Sequence, residues 1–281
     1  MQPIDPEITL PMVRTSYPLQ RRILNGHCWE YIVAGDGAPV LLALPGGLAV
    51  AETSFGWIAT FAPQYRVLAP TYPSTIGSME ELIAGLASLL DAEGVDTINV
   101  IGGSYSGLVA QCLVRTIPQR IEQLVLSDTG VPLSSRWWRH RTYATLIRVL
   151  PMPVTRWIFR QGMRSFIAPM QTNRYFWHEH FFRIIAQLDR ERCLNHLAIW
   201  QDFDMHYRFT LDDLALWNGE ILIINAEQDG MFSPREQRIL HTLYPRAHTL
   251  TLEEGTHCAS LSRMDDYIAA ASVFFKGSIN A

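Results

Sequence analysis

Val100-Ile101-Gly102-Gly103-Ser104-Tyr105-Ser106-Gly107 decides how this 281-residue chain is to be read. Just upstream, residues 97–101 are apolar and β-branched, the signature of a short buried strand. Downstream, Leu108, Val109, Cys112, Leu113 and Ile117 recur at helical spacing. A strand, a tight turn of small residues and a helix, with a serine at the tip, lift a hydroxyl clear of a sheet. Such a turn presses its backbone against neighbouring chain, so the positions two before and two after the tip must be small. With Ser104 at the tip these are Gly102 and Ser106. With Ser106 at the tip they are Ser104 and Leu108, and the leucine collides with the strand. Sterics therefore select Ser104. The usual spacing is G-x-S-x-G, and Ser106 stands where its last glycine would be. A glycine-rich turn without chemistry is the competing reading of the motif on its own.

The chain before that turn supplies a sheet for it. Residues 19–24 and 27–34 read as strands joined at Asn25-Gly26, a pair suited to a tight hairpin. Residues 40–44 are a continuous apolar run, ending in Pro45-Gly46-Gly47 and followed by a helix over about 52–62. Residues 66–69 read as a strand and 70–78 as a loop. Over 79–92, Leu82, Ile83, Leu86, Leu89 and Leu90 share a helical face, with Ser78 as cap and Gly94 as stop. Beyond Ile117, residues 124–126 make a strand leading to Asp128. This alternation predicts an α/β protein whose mostly parallel sheet starts with an antiparallel hairpin and carries helices on both faces. From 131 to 217 the alternation stops: the segment is helical in character and holds six of the eight tryptophans. It resumes with strand 221–225, a helix to 243, strand 249–252 and a closing helix over 265–275. The expected organisation is a core of 1–130 and 218–281 with a helical insertion at 131–217.

Composition is that of a globular protein, 48% hydrophobic and 18% charged, long enough for one domain with an insertion. The net charge of −4 gives no footprint for nucleic acid. Cys28, Cys112, Cys193 and Cys258 are scattered without metal-ligand spacing or a disulfide framework, so neither metal nor cofactor is expected. Residues 1–13 lack the basic and apolar regions of a signal peptide, and no apolar run reaches the length of a membrane span. A cytoplasmic protein is expected. Oligomeric state is not legible.

Chemistry in open α/β sheets gathers at the carboxyl ends of the strands. After strand 221–225 comes Asn225-Ala226-Glu227-Gln228-Asp229-Gly230, and after strand 249–252 comes Glu253-Glu254-Gly255-Thr256-His257. A serine hydroxyl needs a neighbouring base, and a histidine base needs a carboxylate to hold its tautomer. Ser104, Asp229 and His257 supply all three in the order Ser…Asp…His. Glu227 and Asp128 are rival carboxylates, and either can simply cap a turn. Taken alone His257 is one of nine histidines, and Cys258 beside it reads as a small packing residue.

Leu-Pro-Gly-Gly after the third strand, Gly-Gly-Ser-Tyr-Ser-Gly at the turn, Glu-Gln-Asp-Gly-Met-Phe-Ser-Pro after the post-insertion strand and Gly-Thr-His near the end together resemble the α/β-hydrolase family. The resemblance covers nearly all of the chain outside 131–217, which falls where that family carries a helical cap. The N-terminal half is similar to maspardin-like members. The resemblance implies a serine hydrolase of the esterase type. It makes Ser104 the nucleophile, His257 the base and then acid, Asp229 the orienting acid, and the backbone N–H groups of Gly47 and Tyr105 the oxyanion hole. Pro45-Gly46 stands where the family often has His-Gly.

The implied substrate is a small acyl compound with a hydrophobic group, since the insertion is rich in aromatics such as Trp137, Trp138, Trp157, Phe159, Phe166 and Phe181. These either line a pocket or pack between helices, and the arginines among them read as a solvated face. An acyltransferase would use the same residues, and Ser106 and Pro45 leave room for a binding protein without catalysis. A dinucleotide-binding reading of Gly102, Gly103, Gly107 and Asp128 fails on spacing. Epoxide hydrolases and haloalkane dehalogenases need an aspartate where this chain has Ser104.

Overall fold

A computed structural model of the chain describes residues 4–170, 172–257 and 259–277. Cys258 lies outside the described residues. Eight strands form one sheet: β1 (Gln20–Leu24), β2 (His27–Ala34), β3 (Val40–Ala43), β4 (Arg66–Thr71), β5 (Ile98–Gly103), β6 (Ile121–Ser127), β7 (Glu220–Gln228) and β8 (His248–Thr256). Their spatial order is β1-β2-β4-β3-β5-β6-β7-β8. β1 pairs β2 and β2 pairs β4 antiparallel; every later pairing is parallel. The β1–β2 turn is made by Asn25 (φ 52°) and Gly26 (φ 81°), both left-handed as a two-residue hairpin requires.

Successive residues on the central strands serve opposite faces. Leu42, Val100 and Leu124 join one apolar layer, with α3 (Met79–Ala92) and α4 (Tyr105–Thr116). Leu41, Ile101 and Val125 join the other, with α1 (Pro6–Ser16), α2 (Phe55–Phe61) and the C-terminal helix Met264–Gly277. Burial on both faces explains why these strands read as unbroken apolar runs. Ser78 caps α3 by accepting from Glu81 N at 3.2 Å, and Gly94 (φ 63°) turns the chain out of it.

Several boundaries differ from those read in the sequence. Helix α1 falls in a stretch for which the sequence carried no helical expectation. Asp5 accepts from Glu7 N at 2.9 Å, Pro6 sits where no N–H is needed, and Leu10 and Val13 are buried against the core. Pro11 sits inside the helix on its exposed side. The helix expected at about 52–62 is a short 3₁₀ turn, Ala51–Ser54, followed by α2. β4 continues through Pro70 into what read as loop. β3 pairs only as far as Leu68, so Pro70 withholds no bond on that side.

Between β6 and β7 the described residues form helices α5 (Trp137–Val149), α6 (Met152–Ile167), α7 (Arg174–Ala186) and α8 (Arg190–His206). Arg136 ties this insertion to the sheet and is buried, unlike the solvated arginines expected there. Its guanidinium bonds Asp204 of α8 through Nε at 2.8 Å and Nη2 at 2.6 Å, and Glu236 at 2.7 Å through Nη1. Glu236 lies in α9 (Pro234–Leu243), where it also closes a capping box with Ser233. His140 Nε2 donates to Asp204 Oδ2 at 2.7 Å. Removing one partner of a buried ionic cluster strands the others without water. Arg136→Met is therefore expected to destabilise the protein by about 3–5 kcal/mol, read as a lower urea midpoint at unchanged slope.

Candidate active site

Sharp geometry singles out Ser104 among the serines. It has φ 52° and ψ −121°, a region that costs a non-glycine residue about 1–3 kcal/mol and persists only when its surroundings hold it. Here they do. Ser104 N donates to Ser127 O at 2.8 Å, and Thr129 Oγ1 donates to Ser104 O at 2.8 Å. The glycines around it are enforced by contact. A Cβ on Gly102 would lie 2.5 Å from Ser106 O, and one on Gly107 would lie 2.5 Å from Thr129. Ser106 is fully buried; its Oγ accepts from Gly103 N at 3.0 Å and lies 2.9 Å from Gly103 O and 3.3 Å from Leu44 O. Its hydroxyl thus braces the turn from within, the small-residue role that glycine would fill without a bond.

The extended ends of β7 and β8 stop one residue short of Asp229 and His257, so both side chains emerge at the carboxyl edge beside Ser104. Ser104 Oγ lies 2.9 Å from His257 Nε2, and His257 Nδ1 lies 3.0 and 3.1 Å from the two oxygens of Asp229. The Asp229 carboxylate is buried and also accepts Met231 N at 2.7 Å and Phe232 N at 3.1 Å through Oδ1. A carboxylate accepts from Nδ1–H, which leaves Nε2 as the acceptor for the serine proton. Phe166 of α6 and Phe232 stand 5.7 Å from the imidazole on ring centroids and screen it from water.

Of the rival carboxylates, Glu227 is exposed. Asp128 is buried and committed elsewhere: Oδ1 accepts Ala226 N at 2.7 Å, and Oδ2 accepts the Tyr267 hydroxyl. Burial raises its pKa from 3.8 to about 7. A carboxyl with a raised folded pKa holds its proton in the folded state between the two values, so its contribution to stability falls as pH climbs from about 4 to 7. Asn keeps an acceptor for Ala226 N and a partner for Tyr267 without that proton. Asp128→Asn is expected to gain on wild type by up to about 4 kcal/mol from pH 4 to pH 8, read from urea midpoints across the range. A constant difference would contradict it.

Ser104 and His257 open into a cavity of about 600 Å³ that also receives Gly47, Tyr105 and, from the insertion, Phe159, Phe166, Trp177 and Phe181. The aromatics therefore divide. Those four line the cavity, whereas Trp137, Trp138 and Trp157 are exposed. Gly47 lies within a turn closed by Ala49 N to Gly46 O at 2.8 Å, and beyond its chain neighbours no atom lies within 4 Å of where its Cβ would be. Tyr105 begins α4, where the first N–H groups have no partner within the helix. Two polar residues went unnoticed in the sequence. Arg192 and His196, one turn apart on α8, line the same cavity; His196 stacks on Tyr105 at 3.9 Å, and burial lowers its pKa to about 4. Helical spacing alone gives no sign of which α8 residues face a pocket. Among the described residues no group of three or more His, Cys, Asp or Glu could hold a metal ion.

Comparison with known proteins places the chain in a family. The family model for the alpha/beta hydrolase family matches residues 26–271. Solved structures share the fold. A hydrolase from Pseudomonas aeruginosa PA01 is 20% identical, with TM-score 0.76 over 92% of this chain and 98% of that one. The enol-lactonase from Burkholderia xenovorans LB400 is 17% identical, with TM-score 0.75 over 92% of this chain and 100% of its own. A thermophilic esterase from Thermogutta terrifontis is 18% identical, with TM-score 0.73 over 92% and 98%. No curated protein matches the sequence.

Proposed function

This chain belongs to the alpha/beta hydrolase family and is a hydrolase of that fold, and on that premise we propose that it cleaves a carboxylic ester or related acyl compound bearing a hydrophobic group, with Ser104, His257 and Asp229 as its catalytic residues. The observation that carries the reading is the unbroken chain of contacts from Ser104 Oγ to His257 to Asp229, set on a strained turn at the floor of an aromatic cavity. An enol-lactonase and an esterase among the structural neighbours support acyl–oxygen cleavage.

In the proposed mechanism Ser104 Oγ attacks the acyl carbon while His257 Nε2 takes the hydroxyl proton. The carbonyl oxygen becomes an oxyanion facing the N–H groups of Tyr105 and Gly47, each contributing about 3–4 kcal/mol to the transition state. His257 then protonates the departing alkoxide, leaving an acyl-serine. Water entering the vacated space gives its proton to His257 and adds to the acyl carbon; collapse returns the proton to Ser104 and releases the acid. Asp229 keeps the imidazole upright and offsets its charge. The helical insertion acts as the cap over this site. No cofactor enters any step.

Hydrolysis of p-nitrophenyl esters of graded acyl length tests the reading. Turnover is expected to rise with chain length until the cavity is filled, and a folded protein inert toward every length would contradict it. With an added alcohol, the ratio of free acid to new ester separates hydrolysis from acyl transfer, which shares the first half-reaction.

A further inference from the structure

Residues 129–178 contain eight arginines and no aspartate or glutamate, in a chain where 27 acidic side chains outnumber 23 basic ones. Positive charge is thus concentrated on one part of the insertion, while the rest of the molecule is acidic. Among the described residues, Arg136 alone of the eight is ion-paired. The same stretch holds an unusual density of uncovered apolar surface. Trp137, Trp138 and Val149 on α5, and Val154 and Trp157 on α6, are 41–69% exposed. On α5, Trp138, Thr142, Thr145 and Val149 follow the helical repeat on the side opposite buried His140, Ala144 and Ile147, so this stripe has no protein beneath it. The same two helices line the cavity. Tyr143 and Leu146 on α5, and Ile158 and Phe159 on α6, line it and remain 39–47% exposed, which puts its mouth between the two helices.

We propose that the α5–α6 face docks on an anionic lipid bilayer, with the cavity mouth against the lipid. Tryptophan rings, apolar in body with one polar N–H, suit the headgroup boundary, and arginines spread their stems over apolar surface while the guanidinium reaches lipid phosphate. An anionic leaflet attracts the arginine face and repels the acidic remainder, which orients the molecule mouth-down. A hydrophobic ester dissolved in the membrane then reaches Ser104 without crossing water. That last consequence rests on the hydrolase reading; the docking does not.

Co-sedimentation of the full chain with vesicles tests it, comparing pure phosphatidylcholine with phosphatidylcholine mixed with phosphatidylglycerol. Binding is expected to the mixed vesicles and to weaken with salt. Trp138→Ser with Trp157→Ser should weaken it about tenfold or more, and Arg141→Gln with Arg148→Gln should remove the preference for anionic lipid. Both pairs are exposed and should keep the wild-type Tm. Ser104→Ala should bind as wild type does, and a wild-type protein that docks but turns over no ester would overturn the hydrolase reading alone. Failure to bind either vesicle, or variants that bind like wild type, would overturn docking. So would light scattering showing a dimer that the tryptophan variant dissolves, since the face would then be a self-interface.

Discussion

Ser104→Ala is expected to lower kcat for an accepted ester by about a millionfold, roughly 8 kcal/mol of transition-state stabilisation. The size follows from what the substitution removes and what it leaves. Only Oγ is lost, and with it both the nucleophile and the group to which His257 Nε2 is hydrogen-bonded. The backbone of the turn stays clamped by Ser127 O and Thr129 Oγ1, which bond Ser104 N and Ser104 O. Alanine adopts the same φ at similar cost, so Tm should stay within a degree or two of wild type. The N–H groups proposed for the oxyanion remain and sustain a residual rate of about 10³ over water. Loss of activity without loss of fold is therefore the expected pattern, and a variant retaining a tenth of wild-type kcat would exclude Ser104 as nucleophile.

Asp229→Asn is expected to cost about 10⁴ in kcat, for a reason that the local bonds make specific. Asp229 Oδ1 accepts two backbone N–H groups, from Met231 and Phe232. An asparagine oxygen must take that place, because the amide nitrogen cannot accept. The nitrogen then stands where Oδ2 was, 3.0 Å from His257 Nδ1, and donates to it. The imidazole proton is forced onto Nε2, which points at Ser104 and can no longer receive its proton. KM should change little, since Asp229 is buried behind the imidazole. Glu227→Gln, at an exposed position, should leave kcat within a few-fold of wild type. If Glu227→Gln caused the larger loss, the carboxylate assignment would be wrong.

What could be read in the sequence was set by local sterics and by strand ends. Gly102, Gly103 and Gly107 announced the turn because no side chain fits there. Asn25-Gly26 announced the hairpin because both residues tolerate positive φ. That Asp229 and His257 emerge beside Ser104 was legible because a strand's carboxyl end fixes where the next residues emerge, and this survives an error of several residues in the strand's length. What depends on packing between distant elements was not legible. The burial of Arg136 is decided by Asp204 and Glu236, far along the chain. Helix α1 was not legible: Asp5-Pro6 is a start signal, but a helix that runs through Pro11 is explained only once Leu10 and Val13 are seen to face the core and Pro11 the solvent. The aromatics of the insertion looked alike in sequence; only the arrangement of α5 and α6 separates Phe159 and Phe166 in the cavity from Trp138 and Trp157 on the surface.

The central claim is that Ser104 is a nucleophile activated by His257. Intact-mass and peptide-mapping analysis after treatment with a fluorophosphonate tests it most directly, because the probe reacts with an activated serine whatever the natural substrate. The account predicts a single adduct on Ser104 in wild type, none in Ser104→Ala, and labelling slowed by orders of magnitude in His257→Ala. A folded wild-type protein that stays unlabelled, or an adduct on another residue, would contradict it.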